Sequence, residues 1–373
     1  MLKAMKYRLK PTKSQAHLLE SQLEECHLLY NHFLAERKTA YEERKESLTY
    51  YGQKATLPQL KAACPALRHV HSQVLQDVSM RIDLAFKAFF RRCKTGEKPG
   101  YPRFRGYGRY DALTFPQYGN GCQMVDGVLK LSKVGALRMV QHRPLEGTPK
   151  TCTIRRSSPG KWFVTIACDV EATPLPTTGE AVGIDVGLLA FSTLSTGEST
   201  PCPKFLRTDE KDLKRTQRKL SATTKGTPER KKRCNVVGRV HERISNRRTN
   251  FTHQESRRIV NRFDVIAVED LSVHQMVHNH CLAKSIQDAA WSQCATFLSY
   301  KAAWAGRAFV AVNPAYTSQD CSGCGHRQKK TLAERVHACP CCGLTLDRDH
   351  NAALNILTLG QQSLRLVPRS PSL

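Results

Sequence analysis

Three acidic motifs mark the C-terminal half of this 373-residue chain: Gly183-Ile184-Asp185-Val186-Gly187, Val268-Glu269-Asp270-Leu271 and Asp347-Arg348-Asp349-His350-Asn351-Ala352-Ala353. The first two each read as an apolar strand ending in a carboxylate, Ala181 to Asp185 and Phe263 to Glu269, and the third opens a helix running through Ile356. Acids at strand ends and at a helix start can converge on one point. Three hard oxygen donors suit Mg²⁺ or Mn²⁺, which keep waters for a phosphate to replace. Two such ions roughly 3.5–4 Å apart support phosphodiester cleavage, activating the attacking water and steadying the leaving oxygen. Asp185, Glu269 and Asp349 are the expected ligands. Successive strand residues face opposite ways, so only one of Glu269 and Asp270 can enter the site, and periodicity leaves the choice open. Asp347 competes with Asp349, and one arrangement has Asp347 capping the helix while Asp349 reaches the metal. Each acid taken singly reads equally well as a turn or helix cap; the set of three points to a site.

Four cysteines lie between the second and third motifs. Cys321-Ser-Gly-Cys324-Gly325 and Cys339-Pro-Cys341-Cys342-Gly343 are two C-x-x-C knuckles, the spacing of a tetrahedral structural Zn²⁺ in a zinc ribbon. Cys341 sits inside the second knuckle and competes for a place, but the spacing favours Cys321, Cys324, Cys339 and Cys342. Four thiolates leave no open position for water, which argues against a catalytic zinc. The other eleven of the 15 cysteines have no regular spacing, so a disulfide scaffold is not expected. No charged and apolar leader opens the sequence and no apolar run is long enough to cross a membrane, which places the expected protein in a reducing cytoplasm with no membrane partner.

Charge identifies the class of partner. Lys and Arg number 58 against 32 Asp and Glu, a formal +26, which attracts polyphosphates. The excess is concentrated between Lys204 and Asn250, where 16 Lys/Arg face 5 Asp/Glu. Arg230, Lys231, Lys232 and Arg233, then Arg243, Arg247 and Arg248, fall on an expected long helix ending at Arg262, as candidate nucleic-acid contacts; the plain alternative is a solvated helix face. A second candidate set is Gln73 and Gln76, which with Arg81 lie off the apolar stripe of their helix; glutamine can read adenine bidentately, although an exposed glutamine is usually just solvated.

The remaining sequence supplies the elements that must position these groups. Lys3 to Leu9 alternates as a strand, Pro11 and Ser14 introduce a helix bearing Leu18 to Leu34, and Val74, Leu75, Val78, Ile82, Ala85, Phe86 and Phe89 give a second helix one full apolar face. From Ala112 to Val170 strands dominate, including a hairpin with an Asp126-Gly127 turn. We expect a β-barrel over residues 1–170 with a helical region inserted at about 12–105, and a linker over 171–180 marked by prolines and small polar residues. Beyond it we expect an α/β domain over 181–315 and 346–360, containing a helix from Ala283 to Trp304 and a strand from Ala308 to Val312. The ribbon occupies 316–345, and 361–373 reads as a frayed tail. The fold class is therefore α+β and multidomain.

Strand Asp, strand Glu and helix Asp in that order form a ribonuclease H-like layout. With Tyr7-Arg-Leu-Lys-Pro-Thr-Lys-Ser-Gln15, Ala289-Ala-Trp291, Tyr300-Lys301, Tyr316-Thr-Ser-Gln-Asp-Cys321 and Cys339 to Ile356, the chain resembles the TnpB (OrfB) proteins of bacterial and archaeal insertion sequences over nearly its whole length. The resemblance implies an RNA-guided DNA endonuclease with a RuvC-like nuclease domain, related to type V CRISPR effectors. It implies a guide RNA from the transposon end, double-stranded target DNA read beside a short flanking motif, and a nucleoid-associated cytoplasmic location. It puts the metal ligands on Asp185, Glu269 and Asp349. The N-terminal barrel and helices would read the flanking motif and grip the guide.

Two other histidine patterns are set aside. His278-Asn279-His280 spells HNH without the strands of a ββα-metal site, and His69-Val-His71 lacks the catalytic tyrosine of single-strand transposases. The rival functions are a zinc-ribbon nucleic-acid-binding regulator that does not cut, and a strand-transferring transposase using the same acidic triad.

Overall fold

Met5, Tyr7 and Leu9 are buried along β1 (Leu2–Lys10), as the alternation requires. Thr12 then closes a capping box with Gln15, each side chain satisfying the other's backbone N–H, and starts α1 (Lys13–Arg44). Next come α2 (Tyr50–Ala55), α3 (Leu57–Ala63), a 3₁₀ turn over Pro65–His69, and α4 (Ser72–Lys94). The α4 stripe of Val74, Leu75, Val78 and Ile82 is buried in one core with Leu19, Leu23 and Phe33 of α1. Six strands complete this part: β2 (Ala112–Phe115), β3 (Cys122–Val125), β4 (Val128–Leu131), β5 (Gly135–Val140), β6 (Thr148–Arg156) and β7 (Trp162–Asp169). They pair with β1 in the order β2-β6-β7-β1-β5-β4-β3, antiparallel throughout. Asp126 and Gly127, with φ of 51° and 73°, make the β3–β4 turn. The sheet nearly closes: Cys122 at the start of β3 forms a disulfide with Cys152 of β6, one strand in from the opposite edge. A single pair is not the disulfide scaffold excluded above, but it joins two of the irregularly spaced cysteines. Sheet curvature brings the two together, and their sequence spacing carries no trace of it.

This computed structural model describes residues 1–331 and 334–366, and the chain divides into two units, Met1–Glu171 and Ala172–Leu373. The second unit begins with β8 (Ala181–Asp185), β9 (Ala190–Leu194) and β10 (Ser199–Pro201), then α5 (Phe205–Thr208), α6 (Glu210–Ser221) and the basic α7 (Pro228–Arg262). It continues through β11 (Val265–Glu269), α8 (Val273–Met276), α9 (His280–Ala289), α10 (Trp291–Ala305), β12 (Ala308–Val312), β13 (Val336–Ala338), β14 (Thr345–Asp347) and α11 (Arg348–Leu366). The main sheet runs β10-β9-β8-β11-β12, with β9 antiparallel to both β10 and β8 and with β8, β11 and β12 parallel. The runs Ala181–Asp185 and Val265–Glu269 are apolar on both faces because both faces are covered. Ile259 and Val260 of α7 and Leu298 and Ala302 of α10 share a core with Val182, Ile184 and Ile266, while Ile356 of α11 packs with Ala267 and Val312.

Gly183 makes that helix–sheet approach possible. A side chain there would collide with the Ala353 carbonyl and the Leu357 amide of α11. At the other end of the helix Gly360 faces Ala267 in the same way.

Two elements differ from the sequence reading. The helix expected from Ala283 to Trp304 is two helices, broken at Ala290 with φ of 58°. The tail expected from Gln361 is helical to Leu366, because α11 runs on past Ile356; residues 367–373 lie outside the described residues. Among the described residues no helix is long and apolar enough to cross a membrane.

Candidate active site

β8 and β11 are parallel neighbours with Ile184 opposite Val268, so the next residues, Asp185 and Glu269, stand side by side at the carboxyl ends of adjacent strands. Such ends are where open α/β sheets place their ligands. Asp349 lies in the first turn of α11, the helix laid over β8. All three acids are half-buried. Burial, then the charges of Glu269 and Asp349, push the Asp185 carboxyl up to about 8, against the pull of Arg348 and the Val186 amide. Glu269 and Asp349 thus both stand within electrostatic reach of Asp185. Glu269 is raised by burial, offset by a hydrogen bond from Thr317. Asp349 is raised by burial and by Asp347, offset by Arg335 and Arg348.

The structure places the competing acids of the two motifs as follows. Asp347 accepts the backbone N–H groups of Asp349 and His350 at 2.9 and 3.2 Å, the work of a helix cap, while Asp349 carries on into the shared field of Asp185. Asp270 is exposed and its N–H is spent on the Val312 carbonyl. Beside β11 a cavity of about 480 Å³, lined by Glu269, Asp270, Trp291, Ala295 and Ser299 among others, opens next to the acids.

Two neighbours of the acids were not singled out from the sequence. Arg335 Nη1 stands 4.0 Å from Asp349 Oδ1, and Thr317 Oγ1 donates to Glu269 Oε1 at 2.6 Å. Both come from the segment between β12 and α11; Thr317 lies in the Tyr316–Cys321 stretch that carries the family resemblance, but nothing in the sequence ties either residue to the acids. The Sγ atoms of Cys321, Cys324, Cys339 and Cys342 all lie within 4.8 Å of one another, a set that fits one structural metal such as zinc. Cys341 stays outside the set and exposed. Within the thiol cluster the backbone N–H groups of Cys342 and then Cys341 help hold the Cys339 thiol down to about 6, while hydrogen bonds from neighbouring thiols help push Cys324 up to about 12. β13 and β14 form the antiparallel hairpin beneath the second knuckle.

The expected nucleic-acid contacts are largely engaged within the chain. Arg243 and Arg247 both pair with the buried Asp209 at 2.8 and 2.9 Å, Arg248 pairs with Asp288 at 2.9 Å, and Arg233 with Glu229 at 2.8 Å. Arg230 donates to the Leu220 and Thr223 carbonyls and so ties α7 to the preceding loop. Lys231 and Lys232 are exposed, with no ion pair among the described residues. In the first unit Gln73 donates to Gln117 at 2.6 Å, and both Gln73 and Gln76 line a cavity of about 320 Å³ with Tyr50, Asp77, Met80 and Thr114. Arg81, mostly covered, binds Asp77 at 2.6 Å and Thr114 at 2.7 Å. Within the two dismissed patterns, Asn279 caps α9 and His71 caps α4.

Three family models match the chain: "Helix-turn-helix domain" over residues 1–46, "Probable transposase" over 165–280 and "Cas12f1-like, TNB domain" over 291–356. The first spans β1, the whole of α1 and the start of the loop after it. A Streptomyces pristinaespiralis protein named "Putative RNA-guided DNA endonuclease" is 37% identical, covering 96% of this chain and 89% of that protein. The Escherichia coli K12 "Putative RNA-guided DNA endonuclease InsQ" is 30% identical over 97% and 93%. "TnpB-like protein L79" of Acanthamoeba polyphaga mimivirus is 28% identical over 60% of this chain. A solved "Cas12f1-sgRNA-target DNA complex" shares the fold, with a TM-score of 0.58 at 14% identity over 92% of this chain and 83% of that one. With full-length relatives of that identity and family models on both its halves, the chain belongs to the TnpB (OrfB) family.

Proposed function

We propose that this protein is an RNA-guided, Mg²⁺-dependent DNA endonuclease of a transposable element, built on a ribonuclease H-like (RuvC) domain and cutting DNA beside a short flanking motif. The observation that carries the reading is that Asp185 and Glu269 end adjacent parallel strands and that Asp349, in the first turn of α11, acts with Glu269 on the charge of Asp185, in a chain whose full-length relatives bear endonuclease names. The donor set fits divalent cations: all three carboxylates are half-buried, the charges of Glu269 and Asp349 raise the proton affinity of Asp185, and a cation relieves that repulsion. Two Mg²⁺ ions held by these residues would supply water activation and leaving-group stabilisation. The protein's own part is to hold the three carboxylates in fixed relation. The α11 N-terminus adds a favourable field for Asp349, and Arg335 offers a positive charge beside it for a phosphate. The guide RNA comes from the transposon end and pairs with one strand of double-stranded DNA, the protein reading the flank. A zinc ion on the four cysteines is structural.

The test is cleavage of a plasmid library carrying a guide-matched target beside randomised flanking bases, by protein co-expressed with its transposon-end RNA, against Asp185→Ala. Cutting that needs Mg²⁺, guide and Asp185 is expected, and sequencing the cut population gives the motif. Binding without cutting for every flank would favour a regulatory binder, and joined DNA products a strand-transferring transposase.

A further inference from the structure

The segment that links β12 to the first cysteine knuckle passes beside Glu269, and it is fixed from its other side. Thr317, 4% exposed, donates its hydroxyl proton to Glu269 Oε1 at 2.6 Å. Its other oxygen neighbour, the Pro314 carbonyl, is at 3.1 Å. One hydroxyl has one proton, and the shorter, charged acceptor holds it. The backbone around Thr317 is clamped by α11: Asn355 Nδ2 donates to the carbonyls of Thr317 and Asp320, both at 2.8 Å. One turn earlier, the fully buried Asn351 donates to the Asp320 carbonyl at 2.8 Å and accepts the Ser322 N–H at 2.9 Å. Cys321 lies between those two anchored residues and belongs to the metal-holding set. Asn351 and Asn355 stand on the helix whose first turn carries Asp349.

We propose that Thr317 is a positioning residue for Glu269: its hydroxyl fixes the carboxylate rotamer, and the two asparagines of α11 fix Thr317, so that Glu269 and Asp349 are aligned from one helix. The inference rests on reading Asp185, Glu269 and Asp349 as the catalytic cation site. It gives the knuckle beside Thr317 a part in the geometry of the acids, since the same α11 clamp holds both. Groups that orient a ligating carboxylate from behind are worth about 10–100-fold in metal affinity.

The test is Mn²⁺ titration of the full chain, reading free ion by electron paramagnetic resonance, with thermal unfolding on each variant. Thr317→Val keeps the shape and removes the donor, and is expected to weaken Mn²⁺ binding about tenfold or more at an unchanged unfolding midpoint. Thr317→Ser restores the donor and is expected to bind like the wild type. Asp185→Asn is the reference for the site itself. If Asp185→Asn weakens Mn²⁺ binding and Thr317→Val does not, the positioning role is overturned while the site stands. If Asp185→Asn leaves binding unchanged, the cation-site reading and this inference fall together. Should Thr317→Val prove unstable, Thr317→Ala against Thr317→Ser makes the same comparison, and equal affinities overturn the proposal.

Discussion

Burial and the charges of Glu269 and Asp349 raise the Asp185 carboxyl to about 8, so at neutral pH a proton competes with any cation for its oxygens. The unfolded carboxyl titrates near 3.9. Between about pH 4 and pH 8 the folded chain therefore binds more protons than the unfolded one, and the stability of the metal-free protein falls as pH rises through that window. Below it both states are protonated and this dependence vanishes. The expected result is an unfolding midpoint that declines from pH 5 to pH 8 without divalent ions and recovers most, on adding Mg²⁺, at the alkaline end. Asp185→Asn should flatten the decline; an unaltered slope would assign the titration to other groups. At this scale the acids and cysteines were legible because their chemistry needs fixed residue types at short spacing. Arg335 and Thr317 were not. An arginine or threonine in a loop has many uses, and only the path of the chain between β12 and α11 brings these two to Asp349 and Glu269.

Elements set how closely those residues approach. Because α11 rests its backbone directly on β8 at Gly183, Gly183→Ala must push the helix outward or distort the strand, and the displacement is passed to Asp349 and Asp185 together. An overpacked contact of this kind costs about 1–3 kcal/mol, so a lower unfolding midpoint and reduced cleavage are both expected. Gly360→Ala, against Ala267 at the far end of α11, is the companion change: it should lower the midpoint with a smaller effect on cleavage. Equal activity losses for the two would argue that stability alone governs both. The apolar strands and the long basic helix were readable from their periodicity and length. The break at Ala290 was not, since alanine is the best helix former and nothing in the local sequence signals its left-handed conformation. The Cys122–Cys152 pairing was hidden for a related reason, as it depends on how a seven-stranded sheet curls.

For the molecule as a whole, the formal +26 should make RNA binding strongly salt-dependent. With 6–10 phosphate contacts the affinity would drop about 10³–10⁵-fold between 50 and 200 mM salt. Lys231→Ala and Lys232→Ala remove cations with no ion pair among the described residues and should shallow that slope, whereas Arg243→Ala loses a group already committed to Asp209 and should shallow it less. Filter binding across a salt series checks this, and a larger effect from Arg243→Ala would mean that its ion pair opens when RNA arrives. The charge balance was plain in the composition, but which cations are spent internally required the fold. The division between the units falls at Glu171, where the proline-bearing stretch begins. One further consequence concerns synthesis. α11 follows every other element of its unit along the chain, yet it covers β8, the unit's first strand, and brings the third carboxylate. A polypeptide interrupted on the ribosome before Arg348 therefore has two of the acids, an uncovered apolar sheet face and no means of completing the centre. Products terminated before Arg348 therefore lack Asp349 and leave exposed the face of β8 that α11 covers.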